Sequence, residues 1–127
     1  MSYSCQATQL TPSISLDEED GTLRIEGECY PENPTTFFAP VMAAVRAACT
    51  AGSHALQVHL HLTYVNSASV VWFHRLLSCL DEFARCGGTT RVVWEYDEDD
   101  DSALDLIEDL KMGIRHLDIT EHPLAAG

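Results

Sequence analysis

Val58, Leu60 and Leu62 alternate with Gln57, His59, His61 and Thr63, the period-two pattern of a strand with one face more apolar than the other. The period then changes. Val70, Phe73, Leu76, Leu77, Leu80 and Phe83 recur at three- and four-residue spacing and share one helix face, with Gly87-Gly88 as the stop. The junction is Asn66-Ser67-Ala68-Ser69, where Asn66, Ser67 or Ser69 can accept a hydrogen bond from an otherwise unpaired helix N–H. This places a hydroxyl at a helix N-terminus.

The flanking segments carry the same two periods. Residues 13–16 and 23–28 read as strands joined by the polar turn Asp17-Glu18-Glu19-Asp20-Gly21, with Asp-Gly as the hairpin signal. Tyr30-Pro31-Glu32-Asn33-Pro34 breaks the second strand. Phe37, Phe38, Val41, Val45 and Ala48 then repeat on a helical face that ends near Gly52. Proline is tolerated only in an opening turn, so the regular helix is expected to begin just before Pro40. Residues 91–96 form another apolar strand, followed by the acidic run 97–101. A third helix follows, with Leu104, Ile107, Leu110 and Met112 as its apolar side. Residues 117–120 make a short last strand.

The resulting order, β-β-α-β-α-β-α-(β), predicts a single α/β domain over residues 1–127, a mixed sheet with helices packed on it, loose at 1–8 and 122–127. Right-handed crossovers make the strands ending at Tyr30, Tyr64 and Tyr96 parallel, so the loops 31–36, 66–69 and 97–102 gather along one sheet edge. That edge is where ligands and chemistry usually sit in open α/β sheets.

Composition narrows the function classes. The 127 residues are 46% apolar, enough for one core and one domain. Seven Lys and Arg against 20 Asp and Glu give a formal net charge of -13, which repels DNA, RNA and anionic lipid and favours protein or small-molecule partners. There is no run of 18 apolar residues, and the opening MSYSCQATQL has no basic or apolar signal region, so a cytoplasmic location is expected. The five cysteines Cys5, Cys29, Cys49, Cys79 and Cys86 are odd in number and contain no Cys-x-x-Cys pair. They are expected to be small apolar filler rather than a disulfide or zinc framework, with Cys79 and Cys86 on one helix side but not touching.

Three groups of residues invite a chemical reading. Ser67 at the helix start could hold an added phosphate against the helix dipole, or be a plain cap; no Gly-x-Ser-x-Gly elbow surrounds it, so the serine-hydrolase reading fares worse. Asp97, Asp99, Asp101, Asp105 and Glu108 fall at positions 1, 3, 5, 9 and 12 of a calcium-loop pattern, but Ser102 replaces its glycine and a strand enters the loop. A divalent-metal-binding domain using Asp97, Asp99, Asp101 and Glu108 is thus an alternative, with a solvated acidic helix start as the plain reading. His59 and His61 share a strand face but lack a third ligand nearby, and His74, His116 and His122 show no ligand spacing.

Taken in order, Tyr30-Pro31-Glu32-Asn33-Pro34 with Phe37-Phe38, then Tyr64-x-Asn66-Ser67-x-Ser69, then Trp94-x-Tyr96 with its acidic run, resemble the SiaC-type biofilm-regulation phosphoproteins over nearly the whole chain. That family is similar in fold to STAS domains, the anti-sigma-factor-antagonist class, in which a phosphorylatable Ser or Thr starts the helix after a central strand. The resemblance implies a non-enzymatic, cofactor-free switch. A protein kinase would phosphorylate the hydroxyl and a metal-dependent phosphatase would remove the phosphate. The unmodified form would bind and activate a diguanylate cyclase, raising cyclic di-GMP and biofilm formation; an anti-sigma factor is the alternative client. The family's Asn-Thr-Ser-Ser-Ser-Lys stands here as Asn66-Ser67-Ala68-Ser69-Val70-Val71, so Ser67 takes the acceptor position, Ser69 is the second choice, and valine replaces the lysine. Asn66, Ser67, Ser69, Val70 and Phe73 are the expected partner-binding residues.

Overall fold

The computed structural model describes residues 3–50 and 55–125. They form strands β1 (Tyr3–Cys5), β2 (Ser13–Asp17) and β3 (Thr22–Cys29), helix α1 (Pro34–Thr50), strand β4 (Ala55–Val65), helix α2 (Ser67–Arg85), strand β5 (Thr89–Asp97), helix α3 (Asp101–Lys111) and strand β6 (Asp118–Leu124). All six strands make one mixed sheet in chain order, β1-β2-β3-β4-β5-β6. The β1, β2 and β3 pairings are antiparallel, and β3 through β6 are parallel. The expected α/β architecture is thus present.

Each helical crossover steps to the next strand in the same direction, so right-handedness puts all three helices on one face. That face carries Ile14, Leu16, Leu23, Ile25, Val58, Leu60, Leu62, Val92 and Trp94, all buried. They meet Phe38, Val41 and Val45 of α1, Phe73, Leu76, Leu77 and Leu80 of α2, and Ile107 and Leu110 of α3. The other face bears the alternate, more polar positions: Arg24 lies opposite His59, Glu26 opposite His61, and His61 opposite Glu95. His59 and His61 therefore lie outside the helix-covered core.

The hairpin turn closes through Asp17, whose Oδ1 accepts the N–H groups of Glu19 at 3.0 Å and Asp20 at 3.2 Å. Gly21 has φ +66° and abuts β4, where an added Cβ would lie 2.7 Å from the Ala55 carbonyl oxygen. Glycine is required there on both counts. At the end of α2, Gly87 has φ +100° and its N–H donates to the Ala84 carbonyl, while the Gly88 N–H donates to Phe83, so the Gly-Gly stop holds as expected.

Four boundaries differ from expectation. Helix α1 starts at Pro34, not near Pro40: Asn33 caps it, with its Oδ1 accepting the Thr36 N–H at 3.2 Å, and Pro34 takes the first helical position, where no N–H is needed. Pro40 is carried inside the helix on its exposed side. The expected end near Gly52 lies outside the described residues. The chain ends expected to be loose contain strand: Tyr3–Cys5 pairs with β2, and β6 continues past Thr120 to Leu124 alongside β5. Met112 lies beyond α3 and is 70% exposed; Ala103 is the third buried apolar residue of that helix instead, with Leu104 half-buried.

A single carboxylate ties the loop between α3 and β6 to the core. Asp81 Oδ1, on α2, accepts the backbone N–H groups of Arg115 at 3.1 Å, His116 at 2.7 Å and Leu117 at 2.9 Å. Burial pushes this carboxyl up, but the three N–H donors and the nearby His116 outweigh it and hold it below its usual range.

Candidate functional site

Strands β3, β4 and β5 are parallel and end at Cys29, Val65 and Asp97, so the loops that follow them meet at one edge of the sheet, as the crossover rule requires. The first two loops are joined directly. The Asn66 N–H donates to the Cys29 carbonyl at 3.0 Å, and the rings of Tyr30 and Tyr64 meet edge to face at 5.3 Å. The third loop closes the other side, where Asp100, Ser102 and Ala103 share a small cleft with residues 62–65.

At the centre is the start of α2. Asn66 is the cap: its backbone is extended (φ -76°, ψ 163°), its Oδ1 accepts the Ser69 N–H at 2.9 Å, and its carbonyl oxygen accepts the Val70 N–H at 3.1 Å. The cap thus falls to the asparagine among the three residues the sequence offered. This leaves Ser67 as the first helical residue, and its side chain is exposed. The N–H groups of Ser67 and Ala68 have no carbonyl one turn back to receive them, and the first turn holds no acidic residue. Partial positive charge and an exposed hydroxyl therefore coincide, which is the local requirement for carrying a phosphate.

The other hydroxyl of the motif is placed differently. Ser69 is fully buried, its Oγ makes no hydrogen bond of good geometry, and the buried Cys29 thiol lies beside it. Burial pushes that thiol up to about 11. Ser69 faces the core, out of reach of a modifying enzyme in the folded chain.

The expected docking residues divide in the same way. Phe73 is fully buried, packed edge to face on Phe38 at 5.5 Å, because it lies on the stripe that α2 turns toward the sheet. It is a core residue and presents nothing to a partner. Val70 is half-buried, whereas Ser67 is exposed and Asn66 half-buried at the cap. Two residues not anticipated supply exposed apolar surface at this edge: Val71, 51% exposed, and Tyr64, 55% exposed. Val71 lies four residues after Ser67 and so on the same side of the helix, a signal the sequence already held.

The acidic loop does not gather its carboxylates. Asp100, which the calcium pattern leaves out, caps α3 by accepting the Ala103 N–H at 3.2 Å and the Ser102 hydroxyl at 2.6 Å. Asp97 ends β5, where its Oδ1 lies 3.6 Å from His61 Nε2, and Asp101, Asp105 and Glu108 lie exposed along α3. Among the described residues no three His, Cys, Asp or Glu side chains converge as a metal site. The divalent-metal alternative therefore lacks the geometry it needs. No helix among the described residues is long and apolar enough to cross a membrane.

Residues 5–124 match the model of the SiaC family of regulatory phosphoproteins. An uncharacterised protein of Pseudomonas aeruginosa strain UCBPP-PA14 is 31% identical over 104 residues, 82% of each chain. The crystal structure of apo-SiaC from Pseudomonas aeruginosa superposes with a TM-score of 0.89 at 26% identity, over 96% of this chain and 98% of that one. The structure of the diguanylate cyclase SiaD in complex with its activator SiaC, from the same organism, gives 0.87 at 28% identity, over 94% and 99%.

Proposed function

The chain belongs to the SiaC family of regulatory phosphoproteins, and from that premise we propose that it is a partner-binding switch whose unphosphorylated form binds and activates a diguanylate cyclase. Ser67 is the phosphoacceptor in this reading. The observation that carries it is the contrast within one helical turn: Ser67 is exposed on the first position of a capped helix, while Ser69 is fully buried. The SiaC seated on SiaD in the solved complex supplies the class of client. A protein kinase and a metal-dependent phosphatase would set the phosphorylation state.

The switch follows from charge and solvation. Around Ser67 the docking surface is Asn66, the edge of Val70, Val71 and Tyr64. A phosphate brings about -1.5 to -2 charges to that apolar rim. Binding would then require stripping water from a dianion against an apolar partner, which is strongly unfavourable without a cationic mate. Val71, where the family has lysine, offers none on this side, which leaves the helix N-terminus to compensate the phosphate.

The test is a pull-down from the protein's own host with wild type, Ser67→Ala and Ser67→Asp, combined with phosphosite mapping. Ser67→Ala should retain a cyclase constitutively and Ser67→Asp should lose it, with phosphate found on Ser67. Capture of an anti-sigma factor in place of a cyclase would overturn the client, and phosphate found elsewhere would overturn the acceptor.

A further inference from the structure

Away from the Ser67 edge, the last turn of α1 and the C-terminal half of α2 enclose a groove of about 640 Å3. Its walls include Arg46, Cys49, Cys79, Phe83 and Cys86. Three of the five cysteines in the chain therefore line one surface feature. Cys49 and Cys79 come from different helices, are both half-buried, line the same groove, and are near enough for each thiol to perturb the other. The guanidinium of Arg46, on α1 and lining the same groove, acts on Cys79 of α2.

Cys86 is set apart from this pair. It is seven residues after Cys79, about 10 Å along the helix axis. Its Sγ lies 3.7 Å from Glu82 Oε1 and 3.7 Å from Arg85 Nη2. It cannot bridge to Cys79 while α2 stays helical.

We propose that Cys79 and Cys49 are a peroxide-responsive thiol pair, in which Cys79 is oxidised first and Cys49 resolves it to an intramolecular disulfide joining α1 to α2. The Cys79 thiolate attacks one oxygen of hydrogen peroxide; the S–O bond of a sulfenic acid forms as the O–O bond breaks and hydroxide leaves. The Cys49 sulfur then displaces the hydroxyl from Cys79, the S–S bond forms, and the Cys49 proton departs with that hydroxyl as water. In sum, two thiols give up two electrons and two protons, and one peroxide becomes two waters.

The electrostatics favour this order of roles. The hydrogen bond with Cys49 lowers the Cys79 thiol to about 7; burial works against that shift and Arg46 works with it. Cys49 is moved up, first by the same hydrogen bond, then by burial and the charge of Cys79. The Arg46 charge therefore favours the thiolate on Cys79, with Cys49 as the partner that resolves it. Closing the bond brings the two sulfurs to about 2.05 Å and so ties the last turn of α1 to α2. This inference does not depend on Ser67 being phosphorylated.

The experiment treats reduced, full-length protein with equimolar hydrogen peroxide, alkylates the remaining thiols and maps the peptides by mass spectrometry. The expected product is a monomer with Cys49 and Cys79 in one cross-linked peptide and with Cys5, Cys29 and Cys86 alkylated. Cys49→Ser should leave a sulfenic acid on Cys79 that dimedone captures, and Cys79→Ser should abolish both products. Because wild-type protein alone yields the cross-link, the result does not depend on the variants folding. Recovery of Cys79 alkylated as fully as Cys5, or a bridge that runs through Cys86 or between chains, would overturn the proposal.

Discussion

Replacing Asp81 by alanine should detach the α3–β6 loop from the body of the domain. One carboxylate oxygen accepts three backbone N–H groups at 3.1, 2.7 and 2.9 Å, each a charge-assisted bond. Such bonds contribute roughly 1.5–3 kcal/mol each, but the three share an acceptor, and Arg115 and His116 are exposed enough for water to replace it. Leu117 is 8% exposed, so its N–H would be left largely unpaired. Counting that bond in full and little from the other two gives a loss of about 2–3 kcal/mol for Asp81→Ala. At ~2.1 cal/mol/K of unfolding entropy per residue, the 127-residue chain should lose about 8–11 °C in Tm. Asp81→Asn keeps an acceptor oxygen and loses the charge, and should cost about 1 kcal/mol. The folded carboxyl lies below its unfolded value of about 3.9, so its stabilisation is complete above that pH and is lost as pH falls through the folded value. Urea unfolding of wild type and Asp81→Asn should therefore differ by a constant amount from pH 7 to about 5 and converge below about 4. A Tm for Asp81→Ala within 2 °C of wild type, or a difference from Asp81→Asn that does not shrink at low pH, would refute the reasoning.

Other expectations follow from single contacts. Asn66→Ala removes the α2 cap and should lower stability by about 1 kcal/mol in denaturant titrations. Ser69→Ala deletes a buried hydroxyl without a well-formed hydrogen bond and should change stability by less than ~1 kcal/mol, whereas Ser69→Asp, which buries a charge, should unfold the domain by circular dichroism. Pro40→Ala restores an N–H inside α1 and removes the ring's conflict with the preceding turn, so Tm should rise by an amount equivalent to about 1–3 kcal/mol.

Local periodicity carried most of the architecture. The change from period two to period 3.6 across Asn66 located β4, α2 and the junction between them, because alternation and helical stripes are properties of neighbouring residues. What was not legible depended on partners far along the chain. Asp81 looks like an ordinary acidic residue on a helix, and its three N–H donors lie 34 to 36 residues later. Cys49 and Cys79 look like filler until α1 and α2 pack side by side. Strand β1 has only three residues and no fully buried position to betray it. Two features were legible locally: Asn33-Pro34 is itself a cap and first-turn signature, and the stripe that identifies α2 also turns Phe73 inward and Val71 outward. The calcium spacing failed because Asp100, between its ligand positions, was committed to starting α3.

The agreement between strand order in the sheet and strand order in the chain bears on how the molecule is made. No strand has to be inserted between two that are already paired. The opening meander can zip locally, after which each helix–strand unit adds at the current margin, so assembly can track synthesis from the ribosome. Non-local parallel pairing ordinarily slows folding, and stepwise growth limits each closure to one crossover. Growth must also stop. It ends at β6, where Pro123 withholds a backbone donor near the end of the last strand, and at the other margin in a strand of only three residues. A sheet that extends by adding neighbours thus finishes with two margins poorly suited to recruiting another.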